Sequence, residues 1–190
     1  MKKISFILIP LVVIAVLIIA AFSIYNGLIS AQEEGRTAWA QVENQYQRRA
    51  DLIPNLVETV KGYAQQEKTV LEEVTRLRSQ WGEARQSGNI SKSVQAAQGL
   101  DAALSRLMVV VERYPELKSN QNFMKLQDQL EGTENRISVE RRRYNQAVLN
   151  YNRKIRTFPG AFFAGPFGFE RMPLFEAEPG SKKAPAVKFN

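Results

Sequence analysis

Apolar residues recur at every third or fourth position between residues 39 and 81. Read as heptads, they occupy eleven of the thirteen seam positions, and the two exceptions, Arg49 and Glu67, are charged. Such a seam is typical of a helix that packs along its length on partner helices, as in a coiled coil. The pattern therefore predicts a long first helix that begins before Trp39 and ends near Ala84. The eleven apolar positions are Trp39, Val42, Tyr46, Ile53, Leu56, Val60, Tyr63, Val70, Val74, Leu77 and Trp81.

Pro54 lies inside this predicted helix, on the side away from the seam. Proline removes one backbone hydrogen bond and disfavours helical geometry in the residue before it. Because the heptad phase is the same on both sides of Pro54, we expect one kinked helix. The alternative is a hairpin at Pro54 that divides the segment into two helices.

Two further helices are predicted after the stretch 86–89, whose Ser-Gly-Asn sequence is typical of a loop. The second covers about residues 91–113 and the third about residues 119–157. Each carries an apolar stripe at helical spacing. Since every predicted stripe needs a partner, the chain is predicted to form an antiparallel bundle of three to four long helices.

The C-terminal part of the chain is rich in phenylalanine. Residues 159–169 combine Pro, Gly and Phe and are not expected to be helical, and six of the ten phenylalanines lie in 158–175. Left in water they would form an unusually large apolar patch. We therefore expect 159–176 to pack on the bundle, at its end remote from the membrane, and 177–190 to be disordered. A hairpin at Pro54 would instead place the phenylalanines beside the bilayer, where they could insert.

The first 28 residues have the character of a membrane anchor. The run Ile4–Ile24 has 21 residues and no charge, and its helical length of about 31 Å matches a bilayer core. A cleaved signal peptide, the alternative, would have an apolar region of about 7–15 residues and a small-residue cleavage site. Because Lys2 and Lys3 precede the run, the positive-inside rule predicts that residues 29–158 lie outside the cytoplasm, on the inner membrane of a Gram-negative cell.

The composition excludes several kinds of chemistry. Lys and Arg total 26 and Asp and Glu 19, so the net charge of +7 is a modest, dispersed excess. The absence of cysteine rules out disulfides, and the absence of histidine removes the commonest general base and metal ligand. We also find no phosphate-binding loop, nucleophile elbow, zinc spacing or nucleic-acid motif. The sequence therefore predicts no enzyme activity, no catalytic residue, no metal or cofactor, and no nucleic-acid partner.

Six charged residues interrupt or border the apolar seams. A lone charge buried there would be costly, so each is expected to pair across helices and to form a structural polar network. The alternative is a functional pocket, for example a carboxylate metal site, but bundle metal sites normally combine Glu with His. The six residues are Arg49, Glu67, Glu112, Glu134, Arg141 and Arg142.

Several strings point to a known family. The longest is Arg48-Arg-Ala-Asp-Leu-Ile-Pro-Asn-Leu-Val57, and the others are Tyr25-Asn26, Trp39, Lys61-Gly-Tyr-Ala64 with Glu67, Glu112-Arg-Tyr-Pro-Glu-Leu117, Glu134, Arg142, Tyr144-Asn145, Tyr151-Asn152 and Phe158-Pro159. In these strings the chain resembles the LemA family of bacterial single-pass membrane proteins. The resemblance implies an elongated all-helical bundle of four-helix type and no established molecular function. It also implies an extracellular N-terminus, opposite to the orientation inferred from Lys2 and Lys3, so both orientations stay open.

Two functions fit these observations. The first is a non-enzymatic, membrane-anchored scaffold or interaction module of the bacterial envelope, whose protein partners are unknown and which is either monomeric or homo-oligomeric. The alternative is a membrane-tethered sensor that binds a small ligand or ion at polar positions of the bundle. The phenylalanine-rich tail offers a partner or packing surface, formed by Phe162, Phe163, Phe167 and Phe169.

Overall fold

The computed structural model describes residues 2–175, with side chains from residue 9 onward. This part of the chain is all-helical, as predicted, and contains no strand. The prediction for 177–190 lies outside the described residues. The helices are α1 (Lys2–Lys61), α2 (Lys68–Gln86), α3 (Ile90–Val111), α4 (Pro115–Lys118), α5 (Gln121–Lys154) and α6 (Gly160–Ala164).

The predicted anchor and the start of the predicted seam belong to one helix. α1 has 60 residues and is continuous through Pro10 and Pro54, which confirms that Pro54 does not divide two helices. Its large apolar side chains between Ile9 and Phe22 are exposed, whereas one face is buried from Leu28 onward. By length and composition, α1 can cross a membrane.

The prediction that the first helix extends to Ala84 is wrong. α1 ends at Lys61, residues 62–67 form turns, and α2 runs back along α1. The guanidinium of Arg85 near the end of α2 lies 3.1 Å from the Glu43 carboxylate, well before the end of α1. The heptad phase is unchanged across the reversal because both helices turn their apolar stripe towards the same core, so the phase alone does not distinguish one helix from two.

α5 pairs with α1 in the antiparallel sense along almost its whole length. Contacts between the two helices, or just beyond their ends, follow one register in which residue numbers rise on one side as they fall on the other. They join Gln32 with Tyr151, Trp39 with Tyr144, Arg49 with Glu134, and Tyr63 with Asn120. The core of the molecule lies along this line, where Val42, Ile53, Leu56, Ile137 and Val148 are fully buried.

The bounds of α3 and α5 agree with the predicted bounds to within three residues. Asparagine caps define both starts: the Asn89 side chain accepts from the amide of Lys92, and that of Asn120 accepts from the amides of Asn122 and Phe123. Such caps satisfy amides that lack a partner in the first turn. The local sequence therefore predicts the bounds of these two helices better than it predicts the reversal at 62–67.

The segment after α5 differs from its prediction in two ways. Residues 160–164 form the short helix α6, although this stretch was expected to be non-helical. The segment also lies at the opposite end from the one predicted, because Ile155, Ala164 and Phe169 cluster with Leu28 beside the apolar part of α1. The reason is the reversal at 62–67, which adds one pass and so returns α5 towards the anchor.

Residues 170–175 then run along α5 and are held by two Tyr-Asn pairs seven residues apart. The Asn145 and Asn152 side chains each make two hydrogen bonds, of 2.9–3.0 Å, to the backbone of Phe175 and Met172 respectively. The preceding tyrosines, Tyr144 and Tyr151, donate to backbone carbonyls of the same segment at 2.7 and 2.8 Å. The ring of Phe175 is thereby buried in the core.

Pro54 has a structural consequence that involves α2. Having no N–H, it leaves the Ala50 carbonyl without its helical donor. The Arg78 side chain of α2 replaces that donor, since its Nε donates to the Ala50 oxygen at 2.9 Å. The proline thus frees a backbone acceptor through which α2 is tied to α1.

We expect Arg78→Met to lower the free energy of unfolding by about 1–3 kcal/mol in the natural chain, because a buried carbonyl loses a charged donor. In a Pro54→Ala background the loss should be much smaller, because the new amide of residue 54 serves the same oxygen. Chemical unfolding of the four chains in detergent measures this coupling, with Arg76→Met as a control on an exposed side chain of α2. Equal losses in both backgrounds would contradict the explanation.

Candidate functional site

Arg49 of α1 is a buried charged residue at a seam position. Its side chain is only 4% exposed. The guanidinium Nη1 donates to Asp101 Oδ1 of α3 at 2.5 Å, and Nη2 donates to the Glu134 carboxylate of α5. One arginine therefore bridges three helices.

A second arginine completes the cluster on the other side of Asp101. Arg141 of α5 donates from Nη2 to the Asp101 carboxylate and to the Tyr46 hydroxyl. The Tyr46 hydroxyl in turn donates to Asp101 Oδ2 at 2.7 Å. The Arg141 guanidinium also lies over the ring of Phe175, 4.6 Å from its centroid, which is a favourable cation–π distance. The last described residue of the chain thus covers the cluster.

The electrostatics of the cluster favour a structural role. Two arginines face two carboxylates, so the formal charges balance. Burial raises the pKa of the Asp101 carboxyl, while the guanidinium groups of Arg141 and Arg49 oppose the rise. Burial, with the neighbouring Asp101 carboxylate, raises the pKa of Tyr46, so its hydroxyl remains a donor. Because both Asp101 oxygens already accept hydrogen bonds, this carboxylate is poorly placed to act as a general base.

A cavity of about 360 Å³ opens next to the cluster, between α3 and α5. Its wall is partly apolar, with Leu104, Met108 and Phe123, and the charged groups of the cluster lie at one side. Within the described residues, the Nε atoms of Arg49 and Arg141 are buried and have no hydrogen-bond partner. The cavity is the feature that fits the alternative of a small bound ligand.

The structure brings together three of the six charged residues predicted to form the network, namely Arg49, Glu134 and Arg141. Glu134 is half exposed despite its contact with Arg49, with a side chain that is 57% accessible. The partner that sequence reasoning missed is Asp101, which follows the apolar Leu100 and is the single acidic residue of α3. A lone carboxylate beside an apolar stripe was the signal that could have identified it.

The other three predicted network residues lie elsewhere. Glu67, at the reversal, accepts from the Tyr114 hydroxyl at 3.2 Å and pairs with Arg113 at 3.0 Å, so it joins the reversal to the end of α3. Glu112 is exposed and pairs locally with Lys118 at 2.6 Å. Arg142 is exposed rather than buried in a pair. Since Arg141 takes the inward position on α5, the next residue, about 100° further round the helix, points to solvent.

The four phenylalanines predicted as a contact surface differ in their exposure. Phe169 is buried and Phe163 is half-buried, whereas Phe162 and Phe167 are exposed. The residues described in the structure contain no group of three or more acidic side chains close enough to hold a metal ion.

Comparison with known proteins gives one family and several relatives. The model of the LemA family matches residues 38–189. Magnetosome proteins MamQ 2 and MamQ 1 of Paramagnetospirillum magneticum are each 28% identical to the chain, over 89% of this chain and 72% of theirs. Protein LemA of Metamycoplasma hominis is 23% identical, over 93% of this chain and 80% of its own.

We expect Asp101→Ala to lower the free energy of unfolding by about 3–5 kcal/mol, because it removes the carboxylate shared by the buried Arg49 and the half-buried Arg141. Glu112→Ala is the matched control, since its exposed ion pair is expected to contribute only about 0–1 kcal/mol. Chemical unfolding followed by far-ultraviolet circular dichroism gives both values. If Asp101→Ala and Glu112→Ala unfold alike, Asp101 is not the centre of a buried cluster.

Proposed function

Because the chain belongs to the LemA family, we propose that it is a non-enzymatic, membrane-anchored helical scaffold of the bacterial envelope that presents an elongated helical bundle to protein partners. The family membership confirms the resemblance seen in the sequence. It supports membrane association, as do the relatives named magnetosome proteins and the apolar N-terminal helix of this chain. The finer role as a scaffold rests on the arguments that follow.

The observation that carries the proposal is the continuity of α1. The same helix contains the exposed apolar segment and the buried face that packs on α2 and α5, with no linker between them. A helix of 60 residues is about 90 Å long. The bundle is therefore mounted on its anchor at a fixed distance and angle, as a scaffold requires. We divide the chain accordingly into an anchor (1–28), the bundle (29–158) and the aromatic tail (159–176).

The buried cluster is assigned a structural part in this scaffold. Arg49 contacts α3 and α5 at once, so a shift of either helix would separate a buried charge from its partner. Buried polar groups of this kind can fix register at some cost in stability. On this proposal, Arg49, Asp101 and Arg141 set how the helices align, and the surface presented to partners follows from that alignment.

The ligand-binding alternative has one observation in its favour, the cavity beside Arg49 and Arg141. A ligand there would contact apolar side chains and the edge of the charged cluster. It would act as a sensor if its binding changed the alignment of α3 and α5. The two functions differ in what they bind, so one pair of measurements separates them.

We expect photocrosslinkers placed at Val109 and Leu149, two exposed apolar residues of α3 and α5, to give discrete protein adducts in intact membranes. A crosslinker at the buried Leu104 is the control and should give none. No adduct at any exposed position would contradict the scaffold. Stabilisation by small-molecule extracts that is abolished by Ser105→Trp, a change that fills the cavity from an exposed position, would instead favour the sensor.

We place the bundle outside the cytoplasm, on the inner membrane. Lys2 and Lys3 precede the apolar segment, and the first charged residues after it are Glu33, Glu34 and Arg36, which carry no excess of positive charge. An alkaline phosphatase fused after residue 190 should then be active, and a fluorescent cytoplasmic reporter fused there should be dark. Lys2→Glu with Lys3→Glu should weaken this bias. The opposite reporter pattern in the natural chain would reverse the orientation.

A further inference from the structure

The chain after α5 returns to the level at which α1 leaves its apolar segment. Tyr25 directly follows the uncharged run, and its ring centroid lies 5.1 Å from that of Phe167 and 5.8 Å from that of Phe169. Leu28, which packs in the same cluster, lies only about 6 Å along the helix axis from Ile24. The polar interface of a bilayer is roughly 5–7 Å thick on each side. If α1 spans a membrane, these residues lie within its interface.

Three phenylalanines at this level are exposed. Phe158 is 89% exposed, Phe162 is 76% exposed and Phe167 is 57% exposed. The half-buried Phe163 links two of them, with ring centroids 5.5 Å from Phe162 and 6.2 Å from Phe167. Clustered exposed aromatic rings are unusual on a surface that faces only water.

The fold holds these rings outward. The carbonyl of Glu170 accepts from the Tyr151 hydroxyl at 2.8 Å, and Met172 makes two backbone hydrogen bonds to Asn152. The amide of Phe169 donates to the Ala164 carbonyl at 2.9 Å, which closes the loop that carries Phe167. Turning this segment so that Phe167 entered the core would break these contacts.

Basic side chains accompany the rings. Arg153, Lys154, Arg156 and Arg171 are exposed at the same end of the molecule, and Glu170 is the one acidic residue in the stretch 153–171. Exposed aromatic rings with adjacent lysines and arginines are the combination that binds the interface of anionic membranes. A protein partner would account for the rings, but not for their position level with the end of the apolar segment.

We propose that Phe158, Phe162 and Phe167, with Arg153, Lys154 and Arg156, form a second membrane contact that inserts into the interface of the bilayer spanned by α1 and binds anionic headgroups. This inference rests on the proposed anchor and goes beyond it. A single helix fixes the bundle relative to its anchor but leaves the tilt and rotation of the whole molecule in the bilayer free, and a second interfacial contact beside the helix restrains both.

The test uses the full chain reconstituted in phosphatidylglycerol-containing vesicles. Because the chain has no cysteine, single cysteines at Phe162, Phe22 and Gln65 can each carry an environment-sensitive fluorophore. We expect lipids with a nitroxide near the headgroup to lower the fluorescence at Phe162 by roughly twofold or more, because a side chain inserted at the boundary of headgroups and acyl chains lies beside the nitroxide. The label at Gln65, on the remote reversal, should be unaffected. The label at Phe22 reports the anchor independently, so loss of quenching there would mark failure of the proposed anchor instead.

Two variants make the expected outcome specific. Replacing Phe158, Phe162 and Phe167 by serine, with the label moved to Thr157, should abolish quenching, whereas serine at the exposed Val109, Val139 and Leu149 should not. Replacing phosphatidylglycerol by phosphatidylcholine should weaken quenching at Phe162. The proposal is overturned if Phe162 is unquenched by lipid while Phe22 is quenched. Protection of Phe162 from aqueous iodide without lipid quenching would overturn it as well, and would indicate a protein surface or a second copy of the chain.

Discussion

The continuity of α1 is the constraint on which the rest of the structure depends. The helix is continuous from the apolar segment, past Pro54, to Lys61, and α2, α3, α5 and α6 all contact it. Its buried side chains, such as Val42, Ile53 and Leu56, each contribute about 1.5–3 kcal/mol if fully buried. Most of the core therefore forms against α1. Among the described residues, α1 contains the one segment that is long and apolar enough to cross a membrane.

Charge within the core is tolerated because it is shared among helices. Arg49 is almost fully buried, yet Asp101 and Glu134, on two different helices, accept hydrogen bonds from its two Nη atoms. Apolar side chains alone allow neighbouring registers of similar energy, since a shift of one helical repeat exchanges one apolar contact for another. The contact between residues 49 and 134 follows the same register as those at 39 with 144 and 63 with 120. A shift of α5 along α1 would leave Arg49 buried without the Glu134 carboxylate, which is costly. The charge therefore disfavours the other helix registers that the apolar seam alone permits.

The sequence predicted local features well and the path of the chain poorly. The apolar stripes placed α3 and α5 nearly where they lie, and the asparagine caps that the structure shows at 89 and 120 are within two residues of the predicted starts. The reversal at 62–67 was missed because Leu71, Val74 and Trp81 join the same core as Val60, and periodicity reports a shared core, not a shared helix. Gly62 was the local signal, and a single glycine does not outweigh a seam of eleven residues. Asp101 was missed for a related reason, since which charges meet depends on how the passes are arranged.

The number of passes decides what the C-terminal segment can contact. With three long helices, the chain after α5 would end at the tip remote from the anchor, where phenylalanines could only cover the core. With the reversal at 62–67 there are four long passes, α1, α2, α3 and α5, and the segment ends beside Tyr25 and Leu28. At this end of the molecule, the phenylalanines of the segment lie in two different environments. Phe169 and Phe175 are buried by the helices, whereas Phe158 and Phe162 are exposed near the point where α1 leaves its apolar segment. A six-residue turn at one end of the molecule thereby determines which phenylalanines at the other end are available to a bilayer.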